Sequence, residues 1–406
     1  MQFLITGWCS ISGVVKAIIK QLPGRVVAGL MLVFWMLLSH AWAYAPGDRE
    51  LAAARPFPEH LQWLNVSRPL SMDELRGKIV ILDFWTYGCI NCIHVLEDLD
   101  RLQDKYGDRI AIIGVHTPKF DNEKNLETLR RIVVRYGIEH PVINDAESIL
   151  ARVYGMRAWP TQIVITPAGK VLGKAVGEGN YDVFEQVIEQ LLEEQADLVS
   201  EKPLPISLEK DRLETSFLAY PGKLAVSDTR VAVSDTLHHR IVITDHSGQV
   251  QQIVGQGEPG LRDGPADQAR FIRPQGLAFA GEMLYVADTG NHSIREISLE
   301  SGEVRTVSGT GKLDVSIQEE GRGSGASLRS PWDLVVTDGR LIIAMAGEHQ
   351  LWELDVKKDV LRPYSGDGRE TLKDGSLEAA SYSQPSGLSL LNDTMYVADS
   401  ESSAVR

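Results

Sequence analysis

The stretch Asp83-Phe84-Trp85-Thr86-Tyr87-Gly88-Cys89-Ile90-Asn91-Cys92 decides the fold of the first half of this 406-residue chain. The apolar run before it is typical of a buried strand, and the Ile/Val/Leu-rich pattern after it predicts a helix to about Tyr106. A Cys-x-x-Cys pair at such a junction places the first sulfur at a helix N-terminus, where unpaired N–H groups and the helix dipole favour a thiolate. We therefore interpret the pair as a redox site, with half of a zinc site and an inert pair as the alternatives.

The rest of the sequence offers little to a metal or to nucleic acid. A structural zinc ion needs four ligands, yet the third cysteine, Cys9, lies far upstream and no second Cys-x-x-Cys or His-x-His cluster exists. The formal net charge is -14, and no basic stripe offsets it. We predict no metal, no cofactor and no nucleic-acid partner.

The N-terminal residues form a distinct leader. Lys16, Lys20 and Arg25 precede an unbroken apolar run over residues 26–38, and Ala41-Trp42-Ala43 follows. A basic region, a short apolar core and an A-x-A site predict a signal peptide over residues 1–43. Extension through residues 26–45 would make a membrane anchor of the roughly 20 residues that a span needs. Either way, we expect a periplasmic or otherwise exported protein.

Residues 57–195 alternate between strand and helix patterns. Strands are predicted at 79–84, 110–115, 142–144, 162–165 and 171–175, and helices near 90–106, 122–136, 147–153 and 181–195. This alternation predicts an α/β domain with a partly parallel sheet covered on both faces. The segment after the second strand then lies near the cysteines, so His116 and Lys119 either favour a thiolate there or form a solvated loop.

The first domain closely resembles thioredoxin-like proteins. Residues 83–92 follow the thioredoxin pattern D-F-W-x-x-x-C-x-x-C without a gap, and Trp159-Pro160-Thr161 matches the loop whose proline is cis in that superfamily. The resemblance implies that Cys89 is a partly exposed attacking thiolate and that Cys92 resolves the mixed disulfide.

The resemblance also assigns roles around the cysteines. Asp83 becomes a buried carboxylate that accepts the Cys92 proton, and desolvation would raise its pKa toward neutrality. Trp85, Trp159 and Pro160 become substrate-binding residues, with Trp85 a shield over the sulfurs. The plainer alternatives are a strand-end aspartate, a core tryptophan and an ordinary trans proline. Ile90-Asn91 between the cysteines does not indicate the direction of electron flow.

A third kind of chemistry is also compatible with this motif. Thr86 to Cys89 satisfies T-x-x-C, which resembles the peroxiredoxin motif, although Leu82 stands where that family carries proline. The resolving cysteine three residues away is thioredoxin-like, so peroxide reduction is the least favoured alternative.

The second half of the chain is repetitive. Residues 196–212, with Lys202-Pro203-Leu204-Pro205, predict a linker. Beyond it, over residues 213–406, similar segments recur with a period of roughly 55 residues, which indicates a β-propeller. The four segments are Val233–Ile241, Val286–Ile294, Ile343–Leu351 and Val397–Val405.

The repeats resemble NHL repeats in their Asp-x-x-Asn-His-x-Ile core. We expect their Asp and His side chains to tie turns between blade strands rather than to bind a metal; they are Asp235, Asp288, Asp399, His239, His292 and His349. About four blades are present and the sequence stops at Arg406, in mid-blade, so we expect the natural chain to continue.

An α/β thioredoxin-like domain followed by an all-β NHL-type propeller resembles the NHL-repeat-containing protein 2 family, and we expect an exported, bacterial-type member. Gly88 stands where that family often has a cysteine. The resemblance implies a thiol–disulfide oxidoreductase that acts on protein thiols and disulfides, with the propeller as a platform for a protein partner. A binding scaffold with little turnover is the second hypothesis, and a thiol peroxidase is the third.

Overall fold

The computed structural model describes residues 51–212, 214, 216–313 and 320–406. The predicted signal peptide over 1–43 and the wider anchor over 26–45 lie outside these residues, as does Cys9. Within the described part of the chain, no helix is both long enough and apolar enough to cross a bilayer.

The first half is built on a six-stranded mixed sheet. Its strands are β1 (Gln62–Leu64), β2 (Ile79–Trp85), β3 (Ile110–His116), β4 (Val142–Asn144), β5 (Thr161–Ile165) and β6 (Val171–Val176). The order across the sheet is β1-β4-β3-β2-β5-β6. β2 pairs in parallel with β3 and antiparallel with β5, which makes it a central strand.

Four helices accompany this sheet: α1 (Ile90–Tyr106), α2 (Leu126–Tyr136), α3 (Ile149–Val153) and α4 (Tyr181–Glu194). The helix predicted over 122–136 begins later, after a 3-10 turn at Asp121–Lys124. Asn125 sets the start of α2, because its Oδ1 accepts the Thr128 N–H at 2.9 Å. A side-chain cap that the apolar pattern did not reveal therefore fixes this boundary.

The sequence of β2 explains where the site lies. All seven residues, Ile-Val-Ile-Leu-Asp-Phe-Trp, are buried, as in a strand covered on both faces. Ile79 and Ile81 pack with α1 and α4, whereas Leu82 and Phe84 pack on the opposite face. Because side chains alternate along a strand, Asp83 faces α1. A carboxyl group thus lies beneath the helix that carries Cys92.

The segment predicted as a linker runs from the first half to the second but packs along the first. Ser67 N–H donates to the Pro205 carbonyl at 3.0 Å, and Ser207 N–H donates to that of Asn65 at 3.1 Å. Leu204 packs against the core, and the buried Glu209 pairs with Arg130 on α2. This connection is therefore held to the α/β domain.

The second half is all β, with four antiparallel sheets arranged as propeller blades. Blade one holds β7 (Leu224–Val226), β8 (Val231–Asp235), β9 (Arg240–Thr244) and β10 (Val250–Val254), and blade two holds β11 (Leu277–Ala280), β12 (Met283–Asp288), β13 (Ser293–Ser298) and β14 (Val304–Ser308). Blade three holds β15 (Gly321–Arg322), β16 (Pro331–Thr337), β17 (Arg340–Met345), β18 (Gln350–Asp355) and β19 (Val360–Ser365), and blade four holds β20 (Pro385–Leu391), β21 (Thr394–Asp399) and β22 (Ala404–Val405). Strands β7, β11, β16 and β20 of successive blades are in contact.

The repeat histidines join one blade to the next. His239, His292 and His349 adopt positive φ, a region that histidine enters more readily than most residues. Each Nδ1 accepts a backbone N–H from the following blade, at 3.1, 3.1 and 3.3 Å respectively. The histidines were expected to tie turns between the strands of one blade, but these bonds join neighbouring blades instead.

Candidate thiol site

The cysteine pair lies at the start of α1. Cys89 occupies the N-cap with extended backbone, and its carbonyl accepts the N–H groups of Cys92 and Ile93 at 3.1 and 3.2 Å. Both cysteines are free thiols. Cys92 is fully buried, and Cys89 is only 6% exposed, less than the partly exposed sulfur that we expected.

Burial raises the pKa of two neighbouring groups at the inner side of the site, the Cys92 thiol and the Asp83 carboxyl group. Burial raises the pKa of Cys92 well above its ordinary value, and the neighbouring Cys89 and Asp83 raise it further. Burial also raises the pKa of Asp83 to about 7, although the Gln162 amide donates to its Oδ1 at 2.9 Å. Oδ2 of Asp83 has no hydrogen-bond partner within the described residues. A carboxyl group that titrates near neutrality therefore lies close to the inner thiol.

The two predicted tryptophans pack in or against the cluster that contains the sulfurs, and the predicted proline follows a cis peptide bond. Trp85 is fully buried in the cluster that contains both cysteines, and Trp159 packs at its edge. The Trp159–Pro160 peptide is cis, and the Trp159 indole N–H donates to the Thr117 carbonyl at 2.9 Å. Trp85 therefore packs with the cysteines inside the core, while the half-buried Trp159 lies at the edge of the same cluster.

Two residues at the end of β3 and just after it were considered as groups that could favour a thiolate; His116 is buried, and Lys119 is ion-paired. Burial lowers the pKa of His116 to about 3, so its ring is neutral at ordinary pH, and it stacks on Tyr87 with ring centroids 5.3 Å apart. Lys119 pairs with Glu401 from blade four. Burial by itself would lower the pKa of Lys119, but the contact with Glu401 outweighs it and the pKa is raised. Of the two, only Lys119 brings a positive charge to this edge.

Glu123 is a site residue that sequence reasoning missed. Its buried carboxylate accepts the Thr86 hydroxyl at 2.6 Å and the Gly88 N–H at 3.1 Å. It also accepts the N–H groups of Lys119 and Phe120, at 2.6 and 3.2 Å. Glu123 thus joins the loop before Cys89 to the loop after β3. Thr86, the threonine of the T-x-x-C motif, donates its one hydroxyl proton to this carboxylate.

Blade four contacts the start of α1. The Ile90 N–H donates to Gln384 Oε1 at 2.6 Å, and the Gln384 amide in turn donates to Glu401. No local pattern signals this contact, since Gln384 lies almost three hundred residues from the cysteines and within an ordinary repeat.

A group of hydrogen-bonded polar side chains connects α1 to blade three. His94 Nδ1 lies 2.5 Å from Glu178 Oε2, and its Nε2 lies 2.6 Å from Ser330 Oγ. Arg329 also pairs with Glu178. The chain of contacts from Ser330 through His94 to Glu178 resembles a hydrolase triad. However, Ser330 is only 2% exposed, and it occupies the repeat position that Arg273 and Gln384 hold in the adjacent blades. We therefore regard this group as a structural contact between the two halves.

The propeller aspartates tie turns. Asp235, Asp288 and Asp399 each accept a backbone N–H sixteen residues earlier, from Ala219, Ile272 and Ser383, at 2.6, 2.8 and 2.6 Å. Each also pairs with an arginine of the same repeat: Arg240, Arg295 and Arg406. Among the described residues, no group of three or more His, Cys, Asp or Glu is placed to hold a metal ion.

Comparison with known proteins adds the family context. A thioredoxin-like family profile matches residues 77–171. The chain is 44% identical over 374 residues to Protein SUPPRESSOR OF QUENCHING 1, chloroplastic, of Arabidopsis thaliana, an alignment that covers 86% of this chain and 35% of that protein. It is 40% identical over 382 residues to NHL repeat-containing protein 2 of Bos taurus, covering 86% of this chain and 52% of that protein. The chain therefore spans about a third to a half of the length of these relatives.

A crystal structure of a putative thiol:disulfide interchange protein DsbE from Chlorobium tepidum aligns with 36% of this chain and 99% of its own, with a TM-score of 0.31 and 23% identity. The sequence relatives carry the assignment, because their alignments take in most of the chain, from the cysteine motif into the repeats. Over the part that aligns, this chain is similar to NHL repeat-containing protein 2, the resemblance that its motifs predicted.

Proposed function

We propose that this chain is a thiol–disulfide oxidoreductase in which Cys89 attacks and Cys92 resolves. The observation that supports it most strongly is the pairing of a buried inner thiol with Asp83, a buried carboxyl group whose second oxygen has no partner within the described residues. A purely structural carboxyl group would be expected to have its hydrogen bonds satisfied. A proton acceptor needs an available oxygen and a pKa near the working pH, and Asp83 has both.

In the reducing direction, the chain starts as a dithiol. The Cys89 thiolate attacks one sulfur of a substrate disulfide, forms a mixed disulfide and releases the other substrate sulfur as a thiolate. Cys92 then gives its proton to the Asp83 carboxylate and attacks the Cys89 sulfur. The substrate leaves as its second thiolate, and the two electrons that the dithiol gives up in forming the Cys89–Cys92 disulfide have passed to the substrate. The oxidising direction is the reverse of these steps.

Trapping tests this assignment directly. The reduced full chain is mixed with oxidised glutathione and with a protein disulfide, and exchange is followed by stopped-flow fluorescence. Cys92→Ser should accumulate a mixed disulfide through Cys89, whereas Cys89→Ser, the matched control, should accumulate none. Absence of both turnover and a trapped species would contradict the assignment, and faster consumption of hydrogen peroxide than of disulfides would favour the peroxidase.

The scaffold hypothesis is favoured by a separate observation. Cys89 is almost buried, and Gln384 of blade four is bonded at the helix start beside it. A site closed in this way suits a protein that uses its propeller to bind a partner without turnover. A Cys89→Ser, Cys92→Ser chain that retained full partner binding and biological activity would support the scaffold over the enzyme.

We also propose that the protein is exported, cleaved after Ala43 or anchored through residues 26–45. The basic residues, apolar run and A-x-A site of the leader support this proposal. Cell fractionation with N-terminal sequencing of the recovered protein tests it. A product confined to the cytoplasm with Met1 intact would overturn it.

A further inference from the structure

One repeat position contacts the α/β domain in three successive blades. Arg273, Ser330 and Gln384 all have positive φ, and each donates its N–H to the histidine of the preceding blade. Their side chains reach different targets on the first domain. Arg273 lies 3.5 Å from the Tyr136 carbonyl, Ser330 contacts His94, and Gln384 contacts Ile90. The repeat thus fixes the backbone while the side chain at this position varies.

Gln384 is the member of this set that reaches the thiol site. Its side chain is 7% exposed, and its Oε1 accepts the first N–H of α1 from the residue next to Cys89. The first N–H groups of a helix have no acceptor within the helix, so they are the groups available to an anion at its N-terminus. Gln384 therefore places a carbonyl oxygen on one of the N–H groups whose partial positive charge would otherwise favour a Cys89 thiolate.

Glu401 carries the second part of the contact. It stands one residue after Ser400, at the position filled by Gly290 and Gly347 in blades two and three, so blade four alone of these three places a carboxylate there. Glu401 bonds both the Gln384 amide and Lys119. Cys89 is among the groups whose charge acts on Lys119, which places this ion pair within electrostatic range of the sulfur.

Other titratable groups face the same carboxylate. Glu370 lies 3.8 Å from the Lys119 ammonium, and His349 lies 3.9 Å from Glu370. Burial, followed by the neighbouring Glu370, raises the pKa of Glu401 to about 7, and burial lowers the pKa of His349. Lys119 is thus the only positive charge in this group above neutral pH, and two carboxylates compete for it.

We propose that the propeller is part of the thiol site, with Gln384 and Glu401 as positioning residues that restrain the reactivity of Cys89. Gln384 acts through the first N–H of α1, and Glu401 acts by neutralising Lys119. Both contacts withdraw groups that would stabilise a thiolate. The inference deepens the proposed oxidoreductase function and rests on it: movement of blade four away from α1 would release the N–H and the lysine together and activate the attacking sulfur.

Alkylation of Cys89 measures this restraint without requiring turnover. In a Cys9→Ser, Cys92→Ser background of the full chain, Cys89 is the only thiol, and iodoacetamide reacts with its thiolate. Gln384→Ala and Glu401→Gln should each raise the alkylation rate at pH 7.5, where most of the Glu401 carboxyl groups are ionised, about three- to tenfold and move the pH–rate profile to lower pH. Ser330→Ala is the matched control, because it alters the same repeat position but faces His94; its profile should stay within about twofold of the parent.

A second background separates charge from access. In a Lys119→Met chain, Glu401→Gln should no longer move the profile, because the charge through which it acts is gone. An equal increase at every pH would show only that the sulfur had become more accessible and would overturn the positioning roles. An unchanged profile would overturn them as well, whereas normal disulfide exchange by the parent chain would leave the oxidoreductase assignment intact. A shifted profile in a chain that exchanges no disulfide would support the restraint and overturn the assigned function.

Discussion

Asp83 in the thioredoxin-like domain and Asp288 in blade two are both fully buried, but they differ in what surrounds their carboxyl groups. Asp288 accepts the Ile272 N–H at 2.8 Å with Oδ1, and its Oδ2 accepts both Asn291 and Arg295 at 2.8 Å. Asp83 has the Gln162 amide on one oxygen and, within the described residues, nothing on the other. Asp288 is paired with a buried cation, whereas Asp83 has an oxygen that is available to accept a proton.

The electrostatics follow the same division. Burial raises the pKa of both groups, to about 7 for Asp83 and to about 6 for Asp288, where Arg295 opposes the rise. The buried guanidinium gives the Asp288 anion a compensating charge, so loss of the anion would leave a cation unpaired. Asp83 has no such cation, so its anion costs stability. The raised pKa of Asp288 would by itself also favour neutralisation, but removing its anion leaves the buried Arg295 with one anion fewer, and we expect that loss to be larger. The two residues should therefore respond to neutralisation with opposite signs.

The largest expected effect is a gain in stability from Asp83→Asn. Because the folded-state pKa of about 7 lies above the ordinary value of 3.8, folding is penalised as pH rises from 3.8 to 7 and by a constant amount above that. Three pKa units correspond to about 4 kcal/mol, an upper bound for the gain in the free energy of unfolding at pH 8. Urea unfolding at pH 8 and pH 4 measures it, and the gain should vanish at the lower pH.

Asp145 is the matched control within the same domain. It is also fully buried, but it accepts the N–H groups of Ile149, Leu150 and Ala151. Burial raises the pKa of Asp145 as well, but these N–H groups oppose the rise, so Asp145→Asn should raise the free energy of unfolding at pH 8 by less than Asp83→Asn does. Equal gains from both substitutions would mean that Asp83 is not distinguished by its missing partner.

The second expected effect has the opposite sign. Asp288→Asn should lower the free energy of unfolding by about 2 to 3 kcal/mol at pH 8, because Arg295 stays buried with one anion fewer. The loss falls toward the low end because Arg295 still reaches Asp263 and two carbonyls. Urea unfolding that showed no loss would remove the contrast between the two aspartates.

The third effect concerns reaction rate. Asp83→Asn should slow disulfide exchange about 100-fold at pH 7, since the acceptor of the Cys92 proton is lost, while Cys89 remains able to form a mixed disulfide. Single-turnover kinetics separate the two steps. Asp288→Asn, measured below its unfolding transition, should leave both rates unchanged, and a comparable loss there would refute the division of roles.

The smallest effect comes from Gln162→Leu. The Gln162 amide stabilises the Asp83 anion, so its removal should move the inflection in the pH–rate profile of exchange toward higher pH by about one unit or less. Gln162→Glu would give a like-charge neighbour and a larger shift in the same direction. An inflection that does not move would mean that another group controls the rate.

Local sequence was sufficient for most of the fold and for half of the site. The buried strand before Cys89, the amphipathic helix after it and the Trp159-Pro160-Thr161 loop are short-range patterns, and the structure has each of them. The repeat aspartates and histidines were recognisable because they recur. The strand, the helix and the loop are each recognisable from a short stretch of sequence, whereas the repeats are recognisable because they recur about every 55 residues.

The remaining half of the site depends on long-range contacts that spacing does not encode. Gln384 and Glu401 act on α1 from blade four, and the sequence near them predicts only another repeat. His116 was considered as a source of positive charge, yet burial against Tyr87 keeps it neutral. Glu123 lies in the 3-10 turn before α2, where no sequence motif marks it, and only its four side-chain hydrogen bonds reveal its importance.

Gly88 bears on how a third thiol could enter this site. A Cβ at position 88 would lie 2.7 Å from Glu123 Oε1, closer than real Cβ contacts allow, and that oxygen is already bound to the Gly88 N–H. A cysteine at position 88 would therefore displace the carboxylate that orders the two neighbouring loops. To admit a side chain at position 88, the Glu123 carboxylate would have to shift or be replaced, so the change would first release its bonds to the two loops.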